Sequence, residues 1–573
     1  MAEVRRESMR IAGEHVTSER VIEVENPWNG AVVGTVPKAT VADVRRAFAA
    51  ARAFRSPLSR HERSLILGRA AERLAARREE ISDLITAESG LCKKDTLYEV
   101  GRACDVFTFA AHAALSDDSQ TFACDVSAQG RRRRIYTQRE PLRAIAAITP
   151  FNHPLNQVAH KAAPAIASNN KMVLKPSEKT PLTALLLADV LYDVGLPPAM
   201  FSVVTGDPAE IADELITNTD SELITFTGGV EVGKYIAGRM GYRRAVLELG
   251  GNDPLIVMED ADLQEASTLA VSGAYKNSGQ RCTAVKRILV QESVAARFVD
   301  LLVEKTRLVK YGDPMDPTVD MGTVIDERAA RRFQSLVEDA MGRGARLLYG
   351  NARRGALYSP TVLDRVSADC ELVARETFGP VAPVIRFGDI EEAIRIANGT
   401  PYGLSSAVCT NRWDWITRFV SGLEVGTVNV REVPGYRLES SPFGGIKDSG
   451  LGYKEGVLEA MKSFTNVKTY SLPWPCSRPR APSSSAAPSS APRSPTTSRD
   501  WVGVMSCCWS RGASPAAPPG MPRGWWASSA PPRISPASSA TAPTSTSGSR
   551  RRRAKPPASS AAAASRSRAP PSA

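Results

Sequence analysis

Cys282 sits in Gly279-Gln280-Arg281-Cys282, just ahead of the strand-like run Arg287-Ile288-Leu289-Val290. A thiol on such a turn can be exposed while the element behind it holds it still, which is how a nucleophile is presented. Taken alone, an unpaired cysteine is better explained as a small buried hydrophobe. It does not stand alone. Thirty-four positions earlier, Val246-Leu247-Glu248-Leu249-Gly250-Gly251 ends an apolar run in a carboxylate and adds two glycines that let backbone approach a ligand. Further back, Thr149-Pro150-Phe151-Asn152-His153-Pro154 holds an amide that can donate to an oxyanion. A nucleophile, a base and an oxyanion donor are the minimum set for acyl chemistry through a thioester.

Two other stretches could hold a cofactor. Leu174-Lys175-Pro176-Ser177-Glu178 sets a cation and an anion one turn apart, and Phe226-Thr227-Gly228-Gly229 leads into a helix whose free amides can face a phosphate. Gly228 to Lys234 also fits the start of a P-loop, but Tyr235 stands where the Mg2+-binding hydroxyl belongs. A nucleotide triphosphatase is therefore rejected, and no metal site is expected. Glu376-Thr377-Phe378-Gly379-Pro380 combines a carboxylate, an aromatic ring and a turn, which locally reads as a helix end followed by a loop.

Periodicity gives the elements that must position these groups. Residues 20–40 read as short strands around the turn Asn26-Pro27-Trp28-Asn29-Gly30. Helical spacing runs from Val41 to Ala51 and from Arg60 to Ser89, with Leu67, Ala71, Leu74, Ile81 and Leu84 on one side and Gly90 as the stop. A helix from Leu97 to about Leu115 is apolar on both faces, so its Arg102 is expected to be partly buried against an anion. Thr121 to Glu140 reads as an extended hairpin, with Arg131-Arg132-Arg133-Arg134 as a solvated strand face. Short apolar runs at 144–148, 172–174, 201–204, 223–226 and 245–247 alternate with helical segments. That alternation describes a doubly wound α/β domain with ligands at the carboxyl ends of its strands. A second α/β unit carries helices near 263–275, 293–309, 327–342 and 390–398, and a strand from Phe464 to Ser471 closes the chain.

The 573 residues suffice for two or three domains. A net charge of +12 suggests nucleic acid or a membrane surface until it is located. Residues 475–573 hold fourteen basic residues and one Asp, which leaves 59 basic against 60 acidic residues in 1–474. That larger part is expected to bind neither nucleic acid nor membrane. Nine irregularly spaced cysteines argue against a disulfide framework, and there is no signal-like or membrane-spanning apolar run, so a cytoplasmic location is expected. After Trp474, Pro, Ser, Ala and Arg dominate and periodicity vanishes, so a disordered tail is expected over 475–573. Such an abrupt break is what a shifted reading frame would produce; a nucleic-acid-binding tail centred on Arg550 to Arg553 is the alternative.

From about Val21 to Leu472 the chain resembles the aldehyde dehydrogenase superfamily. The matches are Pro150-Phe151-Asn152, Lys175-Pro176-Ser177-Glu178, Phe226-Thr227-Gly228-Gly229, Glu248-Leu249-Gly250-Gly251, Gly279-Gln280-Arg281-Cys282, Glu376-Thr377-Phe378-Gly379-Pro380 and Pro442-Phe443-Gly444-Gly445. Gly229 departs from the family, which more often has Ser there. The resemblance implies an α/β fold with a doubly wound, Rossmann-like dinucleotide-binding domain over 1–121 and 142–247 and an α/β catalytic domain over 248–446. It also implies a small β oligomerisation arm, 122–141 and 447–474, pairing between subunits of a homodimer or homotetramer. The implied activity is NAD-dependent oxidation of an aldehyde to its acid. Cys282 would be the nucleophile, Asn152 and the Cys282 amide the oxyanion hole, and Glu248 the base for the water that releases the thioester. Lys175 and Glu178 would hold the adenosine ribose, and Gly228, Gly229 and Gly233 would flank the pyrophosphate. Glu376 and Phe378 would position the nicotinamide ribose and ring. Glu178 would repel a ribose 2′-phosphate, which favours NAD over NADP.

Substrate class rests on four candidate cations: Arg102, His153 beside Asn152, Arg281 beside Cys282, and Arg437 in Gly435-Tyr436-Arg437-Leu438. Singly, each is as well explained by a structural ion pair or by tuning of the thiol. Together they suit a phosphonate or phosphate, which guanidinium forks bind bidentately. The segments around Asn152, Cys282 and Arg437 are similar to the branch of the family that oxidises phosphonoacetaldehyde to phosphonoacetate. They are less similar to the branches acting on glyceraldehyde 3-phosphate and lactaldehyde. A non-catalytic member of the fold would not need Cys282, Glu248 and Asn152 together, and a cysteine hydrolase leaves the cofactor half unexplained.

Overall fold

Five short apolar strands lie side by side in parallel, in the spatial order Arg244–Glu248, Leu223–Thr227, Ile145–Ile148, Met172–Lys175 and Phe201–Val203. They belong to a computed structural model that describes residues 4–474; the tail at 475–573 lies outside the described residues. Burial of these strands on both faces explains why their sequences are continuous apolar runs and not alternating ones. The chain builds outward from Ile145–Ile148 in one direction and then returns to its other side with Leu223–Thr227. Strand order therefore reverses between these two, and doubly wound sheets bind ligands at such a reversal. The loops leaving these strands are the ones that carry Asn152 and Gly228-Gly229.

The second large sheet runs Arg346–Tyr349, Thr361–Asp364, Val381–Phe387, Arg287–Gln291, Pro254–Val257, Ser405–Cys409 and Thr427–Val430. Here the candidate residues precede their strands. Glu248 to Asp253 run into Pro254–Val257, and Cys282 runs into Arg287–Gln291. The expectation of ligands at carboxyl ends thus describes only the first sheet; the second offers its amino ends to the same groove. In a third, antiparallel sheet Arg133–Pro141 is the central strand between Thr465–Pro473 and Thr121–Ala123, and most of Thr465–Pro473 is exposed.

Helix Lys93–Ala114 buries Val100, Ala103 and Phe107 in the main core beside Leu67 and Leu74. Two local expectations need correction. The helical stretch 60–89 is two helices, Arg60–Ala76 and Arg78–Ser89, because Arg77 leaves the helical region (φ −104°, ψ 20°). The break lets both Leu74 and Ile81 stay buried. The arginine run 131–134 is not a single strand face either. Ser127 caps a 3-10 turn, Ala128–Arg132, so only Arg133 and Arg134 lie in a strand. Among the described residues no helix is long and apolar enough to cross a membrane.

Candidate active site

Between helix Leu263–Tyr275 and strand Arg287–Gln291 the chain reverses through three consecutive left-handed residues, Asn277, Ser278 and Gly279, with φ of 61°, 53° and 70°. A side chain at Gly279 would put its Cβ 2.3 Å from the Gly379 carbonyl, so only glycine fits. Two amides lock the reversal. Asn277 donates from Nδ2 to the Asn152 carbonyl (2.8 Å), and Asn152 donates from Nδ2 to the Gln280 carbonyl (2.8 Å). An asparagine amide carries two N–H groups, so this fixes the Asn152 side chain and leaves its second donor for a ligand. Asp95 accepts the Asn277 backbone N–H at 2.7 Å and anchors the same turn to helix Lys93–Ala114.

Cys282 lines a groove of about 1090 Å³ together with Asn152 and Glu248. Burial is the largest influence on its thiol and pushes it up to about 11; Lys286 and Arg437 pull it back down. Lys286 is itself buried, donates to the Cys282 carbonyl at 2.5 Å and pairs with Glu376 at 3.0 Å. Glu248 is buried with both oxygens lacking a hydrogen-bond partner. Burial first and then the nearby Glu455 raise its carboxyl well above the usual range, against the pull of Arg437, Lys161 and Lys454. Burial also works against Glu455, but there Lys161, 2.7 Å away and fully buried, prevails and keeps it below the usual carboxylate range. A carboxyl raised in this way is a stronger base than an ordinary exposed carboxylate.

The rest of the groove fits a dinucleotide. Gly229 caps helix Val230–Arg239 with no side-chain hydrogen bond of its own, so amides of the first turn remain available. A Cβ on Gly250 would come within 2.1 Å of a Glu376 oxygen, and one on Gly228 within 2.4 Å of the Phe226 ring, so both glycines keep space that any side chain would fill. Glu178, Gly228, Gly229, Glu376 and Phe378 all line the groove. Phe378, held at φ 57°, meets the Phe151 ring edge to face at 5.9 Å. Lys175 stands behind the wall, paired with Glu178 at 3.0 Å. Gly233 does not flank the groove. Its bare Cα faces Leu249, whose Cδ2 would lie 2.4 Å from an added Cβ, so this glycine serves close packing of the helix.

None of the four expected substrate-binding residues lines that groove. Arg281 and Arg437 each interact electrostatically with the Cys282 thiol, and Arg281 and Arg102 both act on His153. Arg102 has found its anion inside the protein, donating from Nε to Glu439 at 2.5 Å. Burial drives the His153 pKa down, and Glu99, 3.5 Å from Nδ1, does not compensate. Arg281 donates from Nη2 to the Gly273 carbonyl at 2.9 Å, while its Nε has no partner. Arg437 stacks over Phe443 at 3.9 Å, with Nη1 buried and unpartnered.

Several groups at the site escaped the sequence reading. Glu439 holds Arg102 and, through Oε2 at 2.5 Å, His160; Lys161 holds Glu455; Lys286 sits four residues beyond Cys282. A signal existed for two of them. Helix Asn156–Ala167 is buried at every position, so a histidine and a lysine inside it must each have a partner.

The sequence model of the aldehyde dehydrogenase family matches residues 15–470. The 3-sulfolactaldehyde dehydrogenase of Priestia megaterium is 36% identical over 469 residues, covering 82% of this chain and 98% of that one. The sulfoacetaldehyde dehydrogenase of Neptuniibacter caesariensis is 37% identical over 408 residues, 71% of this chain and 89% of its own. Among solved structures, the NADP-dependent glyceraldehyde-3-phosphate dehydrogenase of Bacillus halodurans, complexed with NADP, superposes with a TM-score of 0.79 at 36% identity, covering 82% of this chain and 99% of that one.

Replacing Lys286 with Gln keeps a donor but removes the cation nearest in effect to the thiol. The Cys282 pKa should rise, so the thiolate fraction near pH 8 falls and alkylation by iodoacetamide slows by about tenfold. Mass-spectrometric alkylation rates across pH check this, and an unchanged profile would remove Lys286 from the thiol's electrostatic environment.

Proposed function

This chain belongs to the aldehyde dehydrogenase family, and from that premise we propose that it oxidises phosphonoacetaldehyde to phosphonoacetate with NAD. The observation that carries the substrate is a pair of buried guanidinium donors without acceptors beside the nucleophile, Nε of Arg281 and Nη1 of Arg437. Leaving a buried donor unpaired costs about 1–3 kcal/mol, more for a charged group. An oxyanion of the substrate satisfies both. Of the three similar proteins, two are dehydrogenases of sulfonated aldehydes and one of a phosphorylated aldehyde. They support an anionic aldehyde, and they make a sulfonate the second reading.

In this reading the Cys282 thiolate adds to the aldehyde carbon, and the oxyanion that forms accepts from the second Nδ2–H of Asn152 and from the Cys282 amide. Bound NAD supplies the hydride acceptor. The acyl group stays on sulfur as a thioester until Glu248 takes a proton from the attacking water. Arg281 and Arg437 orient the substrate through its second charge, with Arg102 fixed behind them by Glu439. Lys175, Glu178, Gly228 and Gly229 hold the adenosine and pyrophosphate, and Glu376 and Phe378 the nicotinamide half. Glu178, lining the groove, favours NAD by repelling a 2′-phosphate.

The same reading divides the chain into a dinucleotide-binding domain (1–121 and 142–247), a catalytic domain (248–446) and an arm (122–141 and 447–474). The exposed apolar side chains Val467, Tyr470 and Leu472 suit the arm to pairing in a homodimer or homotetramer. All six described cysteines are unpaired, which suits the cytoplasm.

Purified enzyme given a panel of aldehydes should use phosphonoacetaldehyde far better than an uncharged aldehyde of similar size. Arg437→Ala should raise KM for the phosphonate about tenfold or more while sparing the neutral aldehyde, and Cys282→Ala should stop NADH formation. Equal use of charged and uncharged aldehydes by wild type and by Arg437→Ala would defeat the anion pocket. Glu178→Gln should improve kcat/KM for NADP relative to NAD by about tenfold, the effect of one like charge removed at short range. An unchanged ratio would take Glu178 out of cofactor choice.

A further inference from the structure

Lys276 follows helix Leu263–Tyr275 directly and opens the loop that leads to Cys282. Its ammonium makes no hydrogen bond or ion pair among the described residues. Instead Nζ lies 3.3 Å from the centroid of the Tyr98 ring. Arg102, one turn further along the same helix as Tyr98, faces that ring at 6.0 Å. The charged and titratable groups around the ammonium are Arg281 and Arg102, which repel it, and Asp95 and Cys92, which favour its charge. Asp95 is already committed, accepting the Asn277 amide at 2.7 Å and facing the Cys92 thiol at 3.5 Å. A lysine at a helix C-terminus is favoured by the helix dipole alone. That account does not explain why a half-buried ammonium is gathered with two guanidiniums and given no acceptor. Glu439 already pairs with Arg102, so the Lys276 ammonium and the Arg281 Nε are the charged donors left without an acceptor, and an anion beside them would be attracted by both.

We propose that Lys276 is a further substrate-binding residue: its ammonium, stacked on Tyr98 beside Arg102 and Arg281, binds the anionic group of the aldehyde. This rests on the anionic-aldehyde reading above and adds a group that neither the sequence motifs nor the groove lining includes. It also gives substrate binding a pH dependence. Burial, reinforced by the two arginines, pushes the ammonium down to about 8, so with no anion bound it loses its proton as pH rises through that value, and the attraction goes with it.

The test is steady-state kinetics of the intact enzyme with sulfoacetaldehyde, whose sulfonate does not titrate, and with propionaldehyde as the neutral control. In wild type, KM for sulfoacetaldehyde should rise as pH climbs above about 8 while KM for propionaldehyde does not follow it. Lys276→Met should raise KM for sulfoacetaldehyde at neutral pH by about tenfold, spare kcat and propionaldehyde, and flatten the pH profile. Lys276→Arg, which stays charged, should keep KM low into the alkaline range. If wild type treats the two aldehydes alike, the anionic reading itself fails. If wild type prefers sulfoacetaldehyde but Lys276→Met retains that preference and the same pH profile, only the role of Lys276 is overturned. Should the Met variant not fold, the wild-type and Lys276→Arg pH profiles decide, and identical alkaline limbs in the two would overturn the proposal.

Discussion

Asn277, Ser278 and Gly279 hold left-handed backbone in a turn that is almost completely buried, and of the three only glycine does so without strain. A conformation of this kind persists only when its surroundings dictate it. Here Asp95 grips the turn from one helix and Asn152 exchanges amide hydrogen bonds with it from the loop of another sheet. The same bonds that hold the turn therefore also set the distance between the Cys282 loop and the Asn152 amide. Three segments distant in sequence become one rigid unit, and the strained turn and the reactive geometry share one set of supports.

Around that unit the interior carries an unusual density of charge. Buried ions are tolerated when paired and costly when not, so the pairing pattern separates supporting groups from working ones. Lys161 with Glu455, Arg102 with Glu439, and Lys286 with Glu376 are paired. Glu248, Arg281 Nε and Arg437 Nη1 are not. The unpaired acid and the unpaired donors are the groups left with capacity for a ligand, while the paired groups hold the structure around them in place. Gly444 shows how tightly this is arranged, since a Cβ there would lie 2.7 Å from a Glu248 oxygen.

Much of the fold was legible because local pattern and tertiary role agree. Helices Leu263–Tyr275, Glu327–Gly342 and Ile390–Asn398 lie where the sequence reading placed them, and the structure shows Asp262, Asp326 and Asp389 each capping the helix that follows. The short parallel strands were legible for the same reason, as continuous apolar runs closed by glycine or proline. Arg77 was not, because a one-residue break within a correct apolar period leaves that period intact. The packing role of Gly233 was not legible, because a glycine in a phosphate-type motif and a glycine for close packing look alike in sequence.

By itself the sequence determined which chemistry is present: a thiol, a carboxylate and an amide in motifs whose order and spacing belong to one family, on a doubly wound α/β scaffold. Only the tertiary structure decided which charges remain available. Arg102 is spoken for by Glu439, 337 positions away, and His160 shares that same carboxylate across 279 positions. The His153 pKa is pushed down by what buries it, not by what flanks it. Residue type and local spacing survive in a linear string. Desolvation and ion pairing do not, because they depend on neighbours that folding alone brings near.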